Sequence, residues 1–330
     1  VTTITGSGVG EFGRIRRYFA PLAAGFPGAL NLADDAALID VPNGERLVVT
    51  TDAMVAGVHF IGDEPADSIG RKALRVNLSD LAAMGATPVA YSLAMILPKS
   101  IGDDWVDGFA AGLAADQKEF AIALSGGDSV ATPGPMTISI TAFGRVGRNY
   151  LSRSGAKAGD NIYVSGSIGD AALGLDILQG RLSLPSHEAA LLIDRYQLPR
   201  PRLGLGKALV GVATGALDIS DGLMADLSHL AAESGLAARI EAASVPVSSG
   251  GRAAMALNRA ATRSRLLSGG DDYELLFTAS PTSHYKVMEI GSTQGVVVTL
   301  IGKMIEGRGV VALAEDGSDV TPDVLGYRHG

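Results

Sequence analysis

Short β-branched or apolar runs alternate with longer amphipathic ones along most of this 330-residue chain, and that alternation limits the fold more than any other feature. Leu47–Thr51 reads as a strand stopped by Asp52, and Asp67 as the cap of a helix that runs to about Met84 and ends at Gly85, with Pro88 following. Tyr91–Leu97 predicts a second strand and Trp105–Phe120 a helix, followed by Ala121–Leu124 and then Ser125-Gly126-Gly127-Asp128; Met136–Val146 predicts another strand. Near the start, Gly13–Ala23 has Ile15, Phe19 and Leu22 spaced for one helical face. From Asn149 to Asp160 the chain turns polar and glycine-containing, which places a domain boundary there. A second series follows: strand Ile162–Val164, helices near Ala171–Leu178, Leu203–Val212 and Leu223–Glu233, strand Tyr273–Thr278, helix Thr282–Ser292 and strand Val296–Ile301. The expectation is an α/β or α+β fold in two domains, 1–150 and 151–330.

Hydrophobic residues make up 47% of the chain and charged ones 19%, enough for packed cores and unlike a disordered chain. The net charge is −8 and basic residues form only short pairs such as Arg16-Arg17, which argues against a nucleic-acid groove or an anionic membrane surface as partner. With no cysteine, thiolate nucleophiles, disulfides and Cys-type zinc sites are excluded, and the five histidines are too scattered for a His-based zinc site. Nothing at the N-terminus reads as a secretory signal, and no run approaches the roughly 20 apolar residues a membrane span needs. A cytoplasmic protein is expected.

The aspartates carry the chemical signal. Asp34-Asp35, Asp52, Asp80, Asp128, Asp218, Asp221 and Asp271-Asp272 mostly follow or interrupt apolar stretches and are flanked by Gly, Ser, Thr or Ala. Any one of them could be a cap or turn residue. As a set, they are carboxylates in apolar settings with few cations near in sequence, and such groups need a positive partner. Hard divalent cations with oxygen ligands suit them, and Mg²⁺ commonly accompanies a phosphorylated substrate. Gly126-Gly127 beside Asp128, and Gly166-Ser167-Ile168-Gly169 entering a helix, would let backbone N–H groups approach phosphate oxygens, with ordinary turn chemistry as the alternative. The chain has no Gly-x-x-x-x-Gly-Lys-Ser/Thr loop, no Gly-x-Gly-x-x-Gly that opens a helix after a strand and no Gly-x-Ser-x-Gly elbow. One echo is visible, with coincidence as the alternative: Asn77-Leu78-Ser79-Asp80 precedes Ser125-Gly126-Gly127-Asp128 much as Asp218-Ile219-Ser220-Asp221 precedes Ser268-Gly269-Gly270-Asp271.

Seven segments occur in register: Asp34-Asp35-Ala36-Ala37, Thr50-Thr51-Asp52 with His59-Phe60, Asn77–Ala86, Gly126-Gly127-Asp128, Ser152–Ala156, Asp218–Leu223 and Ser268–Leu275. Together, from about Gly10 to the C-terminus, they resemble the thiamine-monophosphate kinases of the aminoimidazole-ribonucleotide-synthetase-like superfamily. The resemblance implies a two-domain fold: an N-terminal domain for ATP, magnesium and dimerisation, its strands closing a shared barrel in a homodimer, and a C-terminal α/β domain completing the sites. It implies ATP as co-substrate, several Mg²⁺ ions, thiamine monophosphate as acceptor and thiamine diphosphate as product. Asp35, Thr50, Thr51, Asp52, Asp80, Asp128, Asp218 and Asp221 would ligate metal, with Asp35, Asp52, Asp80 and Asp128 catalytic through it. Gly127, Asp128, Arg153 and Ser220 would serve ATP, and His59 and Asp271 the acceptor.

The sequence departs from the family at three points. Asn31-Leu32-Ala33 stands where Gly-x-Gly is common, Asp271 replaces a common Glu, and Gly326-Tyr327-Arg328-His329-Gly330 lacks the usual terminal aromatic. An ionised acceptor phosphate needs no general base, so the lack of a Ser-His-Asp set is no objection to kinase chemistry. Another ATP-dependent synthetase of the superfamily, a metal-dependent phosphohydrolase and a non-catalytic nucleotide- or metal-binding regulator remain alternatives.

Overall fold

The computed structural model describes residues 15–32 and 38–327. The chain divides into two compact units, Val1–Asn77 with Pro88–Arg145 and Leu78–Thr87 with Val146–Gly330. No described helix is long and apolar enough to cross a membrane.

The first unit is built on β1 (Arg46–Val55), β2 (Thr87–Pro98), β3 (Ala123–Thr132) and β4 (Thr137–Val146), in the order β1-β4-β2-β3. Its described α-helices are α1 (Ala20–Ala23, preceded by a π-helical turn over Ile15–Phe19), α2 (Ala66–Ala83, which passes into the second unit at Leu78) and α3 (Asp103–Phe120). β2 and β3 are parallel, so the chain must cross over between them, and α3 is that crossover. In β2, Tyr91, Leu93, Met95 and Leu97 are buried and the residues between them half-exposed, the period-2 pattern of a sheet with one covered face. The helices α2 and α3 touch backbone to backbone: a Cβ on Gly112 would lie 2.1 Å from the carbonyl oxygen of Asp67. Across that contact the buried Asp116 carboxylate receives Arg75 (2.6 and 2.8 Å) and Arg71 (2.8 Å). Two expectations are corrected. Asp67 lies inside the first turn of α2, which starts at Ala66, where its charge still suits the helix N-terminus. Gly126-Gly127 form no turn but lie within β3.

The second unit is a six-stranded sheet of β5 (Asn161–Ser165), β6 (Gly215–Asp218), β7 (Ala237–Glu241), β8 (Leu275–Ala279), β9 (Val298–Ile305) and β10 (Gly309–Leu313). The order is β10-β7-β9-β5-β8-β6, antiparallel except for β7 with β10. Its helices are α4 (Asp170–Leu178), α5 (Ser186–Gln197), α6 (Leu203–Leu209), α7 (Leu223–Glu233), α8 (Ser249–Leu257), α9 (Arg259–Ser268) and α10 (His284–Thr293). Successive residues of one strand feed opposite cores. Ile162, Val164, Leu217 and Leu276 join Leu223, Leu227 and Leu230 of α7. Tyr163, Ala216, Leu275 and Phe277 join Leu205 and Leu209 of α6 and Val287 and Ile290 of α10. β5, β6 and β8, covered on both faces, are buried along their whole lengths, whereas β7 and β9 expose Arg239, Glu241 and Lys303. The helix expected over Leu203–Val212 stops at Leu209, because Val212 and Ala213 both donate to the Leu209 carbonyl and Gly211 takes φ 83°. The strand expected from Tyr273 begins only at Leu275, since Tyr273 is left-handed at φ 51°.

Candidate active site

In the second unit two acid-bearing loops lie against each other. β6 ends at Asp218, a carboxylate only 4% exposed, to which Ser79 Oγ donates at 2.6 Å. Asp80 is the next residue after that serine and is half-buried. The chain then turns through Ile219–Gly222 into α7. The three successive N–H groups of Ser220, Asp221 and Gly222 all donate to one oxygen of Asp226, at 3.0, 3.0 and 3.1 Å. Burial, then the charge of Asp221, push the Asp226 pKa up to about 7, against the pull of those N–H groups.

The loop after α9 docks on this turn. Asp271 N donates to Ser220 O and Tyr273 N to Ile219 O, both at 2.8 Å, while Ile219 N returns to Glu274 O at 2.9 Å. A Cβ on Gly270 would lie 2.3 Å from Ser220 O, so this glycine is what lets the two backbones meet. Asp271 and Tyr273 are both left-handed, at φ 73° and 51°, a strain of roughly 1–3 kcal/mol per residue. Tyr273 Oη donates to Asp271 Oδ1 at 3.3 Å. Near the C-terminus, Tyr327 N donates to Asp221 O at 2.9 Å, which brings that tyrosine to the same loop.

Between the site's carboxylates lie others that hold it. Asp272 accepts from Gly169 N (2.6 Å) and Ala171 N (3.4 Å) at the start of α4, and burial raises its pKa well above the carboxylate range. Glu274, fully buried, accepts from Ser165 Oγ (2.5 Å), Arg202 (2.6 and 2.5 Å) and Arg195. Burial opposes its ionisation, but the Arg202 fork and the two positive charges outweigh burial and lower its pKa. These contacts correct the expectation of a phosphate cradle at Gly166–Gly169. Gly166 N and Ile168 N donate to Val297 O and Pro246 O, and Gly169 N already holds Asp272. A carboxylate of the protein itself takes the place expected for phosphate.

In the first unit, Thr50 and Asp52 are half-buried and alternate with exposed Thr51, as a strand requires. Asp52 N donates to Asn77 Oδ1 (3.2 Å), Ser139 Oγ to Asp52 O (3.1 Å), and the Thr51 hydroxyl pairs with that of Thr141 (2.9 Å). His59 Nδ1 accepts from Val55 N at 3.0 Å, which leaves a ring proton to Nε2. Asp128 is exposed, and its Oδ1 accepts from Ser129 N at 2.8 Å. Asp52 and Asp128 lie on β1 and β3, the two edge strands of this sheet. Arg153, in the second unit, is exposed. Asp35 falls outside the described residues. Among the described residues no three acids or histidines are grouped as a ready metal cage.

Asp226 was not singled out from the sequence, and Asp272, Glu274 and Ser79 stood within quoted motifs without a role in the site. Asp226 had a usable signal, an acid in the first turn of a helix that follows Asp-Gly.

Two families match in succession: AIR synthase related protein, N-terminal domain, over residues 33–146, and AIR synthase related protein, C-terminal domain, over residues 157–314. Both halves thus match the same class, in chain order. The thiamine-monophosphate kinase of Caulobacter vibrioides is 43% identical over 323 residues, covering 97% of this chain and 91% of that protein. Among solved structures, the thiamine-monophosphate kinase from Stenotrophomonas maltophilia K279a superposes with a TM-score of 0.80 at 42% identity, covering 87% of this chain and 90% of that one. AaThiL complexed with AMPPCP and TMP superposes with a TM-score of 0.77 at 28% identity, covering 99% and 100%. The chain belongs to the thiamine-monophosphate kinase family of AIR synthase related proteins.

Proposed function

We propose that the chain transfers the γ-phosphoryl group of ATP in line to the phosphate of thiamine monophosphate, giving thiamine diphosphate and ADP. The observation that supports this reading is the backbone docking of loops 218–222 and 268–274, the two segments that carry Asp218, Asp221 and Asp271. It is drawn from a chain that matches AaThiL bound to AMPPCP and TMP over nearly its whole length.

The donor chemistry fits magnesium. The candidate ligands are carboxylate and hydroxyl oxygens, which suit a hard cation, and magnesium commonly takes one or two carboxylates with water and substrate phosphate rather than an all-protein cage. In the second unit Asp80, Asp218 and Asp221 would hold it, and in the first Thr50, Asp52 and Asp128, with Asp35 and Thr51 carried by resemblance. Bound magnesium would neutralise and align the phosphate oxygens. The protein's own part is to keep these oxygens in place: Ser79 fixes one oxygen of Asp218, and Asp226 fixes the turn that carries Asp221. Ser220 would meet ATP through its hydroxyl, because its N–H is committed to Asp226. Gly127, beside Asp128 on β3, would serve ATP. Arg153 would add a guanidinium fork to the phosphates. His59 and Asp271 would serve the acceptor, the carboxylate facing its cationic thiazolium. A homodimer is part of the proposal: edge strands β1 and β3 leave Leu47, Val49 and Val130 39–54% exposed, and closing a barrel with a second copy would cover them.

The test is product chromatography with MgATP and thiamine monophosphate, alongside free thiamine, no acceptor, and EDTA. Equimolar thiamine diphosphate and ADP, formed only with both magnesium and the monophosphate, are expected. ADP without an acceptor would make the protein a phosphohydrolase instead.

A further inference from the structure

The loop from Gly270 to Glu274 presents its residues alternately. Asp271 and Tyr273 are half-exposed, whereas Asp272 and Glu274 are 2% and 0% exposed. Glu274 is held from several elements at once. Ser165 at the end of β5 donates to it and also accepts Leu275 N at 2.8 Å. Arg195 of α5 and Arg202, just before α6, bring two guanidinium groups. Gly166 makes the room, since a Cβ there would lie 2.1 Å from Glu274 Oε1.

An ion cluster of this kind is a poor way to gain stability, because apolar packing of the same volume does as well or better. What it supplies is direction. With Asp272 and Glu274 seated inward, Asp271 and Tyr273 must face the other way, in the left-handed backbone they adopt. We propose that Glu274, clamped by Arg195 and Arg202, is a positioning residue for Asp271, fixing the phase of the loop so that the Asp271 carboxylate is presented to the acceptor beside Ser220. The role of Asp271 toward the acceptor rests on the function proposed above; the fixing of the loop does not.

The experiment uses the full chain carrying Glu274→Gln, which keeps the shape and removes the charge. Residue-resolved amide exchange is expected to speed up about tenfold or more at Asp271 and Tyr273, while the amides of Ser220–Gly222, held by Asp226, keep their rates. The KM for thiamine monophosphate should rise about tenfold with that for ATP within about twofold. A folded variant with unchanged exchange and unchanged acceptor KM overturns the proposal, as does an equal rise in both KM values, which a general loosening would give. Should Glu274→Gln fail to fold, Ser165→Ala removes the hydroxyl that joins Glu274 to Leu275 and is expected to give the same pattern at about threefold. If the unaltered protein does not phosphorylate thiamine monophosphate, the functional reading falls and the exchange rates still decide this one. If it does and the variant matches it, only this inference falls.

Discussion

Ser125-Gly126-Gly127-Asp128 and Ser268-Gly269-Gly270-Asp271 share one sequence and differ in structure. The first runs along an edge strand with its carboxylate exposed. The second leaves a helix, turns left-handed at the aspartate and is pinned to a neighbouring loop through backbone hydrogen bonds. Their glycines serve close approach in both places, but to different partners: Gly127 to the β2 backbone, where a Cβ would lie 1.9 Å from Leu93 O, and Gly270 to the Ser220 carbonyl. Four residues fix which chemistry is available, and the partner backbone fixes what it is used for.

The largest effects should come from those two glycines. Gly127→Ala and Gly270→Ala each drive a methyl into immovable backbone and should cost about 3 kcal/mol or more in chemical denaturation. If either is tolerated, the close approach is not what selects glycine there. Next come the two aspartates. Asp128→Asn should lower kcat about a hundredfold and raise the magnesium requirement, while Asp271→Asn should mainly raise the KM for the acceptor. The same change in both variants would erase the functional contrast between the motifs.

The third prediction concerns the anchor beneath the pinned loop. The folded-state pKa of Asp226 is raised to about 7 from 3.8, so in that window the folded unit keeps a proton the unfolded chain has released. Stability of the metal-free protein should therefore fall as pH rises from about 4 to 7, by on the order of 1–3 kcal/mol. Asp226→Asn should flatten the fall; a slope left unchanged would assign it elsewhere, Asp272 being the next candidate. The smallest effect belongs to Gly126→Ala. A Cβ there meets nothing within 4 Å, so the change should stay within about 0.5 kcal/mol. A large loss would mean the strand assignment of this motif misses a constraint.

Much of the framework was legible because long elements carry their period openly. The expected helix from Leu223 to Glu233 is the observed α7, the strands around Leu47 and Tyr91 lie within longer ones, and the strand expected from Met136 to Val146 is the observed β4, which begins at Thr137. What escaped was short or weakly apolar. β6 has four residues, Gly215-Ala216-Leu217-Asp218, with no β-branched side chain, and α8 and α9 are rich in Gly, Ala, Ser and Arg. They gain order from packing rather than from propensity. Of the site, Asp218, Asp221 and Asp271-Asp272 stood out by their small neighbours, whereas Asp226 and Glu274 did not. In Asp271-Asp272-Tyr273-Glu274 only the backbone direction decides which acid is presented and which is an anchor, and nothing in the composition of those residues records that direction.

The central claim is that the acceptor phosphate attacks ATP directly, with the chain's carboxylates holding metal and no side chain taking the phosphoryl group. ATP made chiral at its γ-phosphorus tests this most directly when the thiamine diphosphate formed is analysed for configuration. Inversion is predicted, as a single in-line displacement requires. Retention would mean a covalent phosphoryl-enzyme intermediate and would contradict the account.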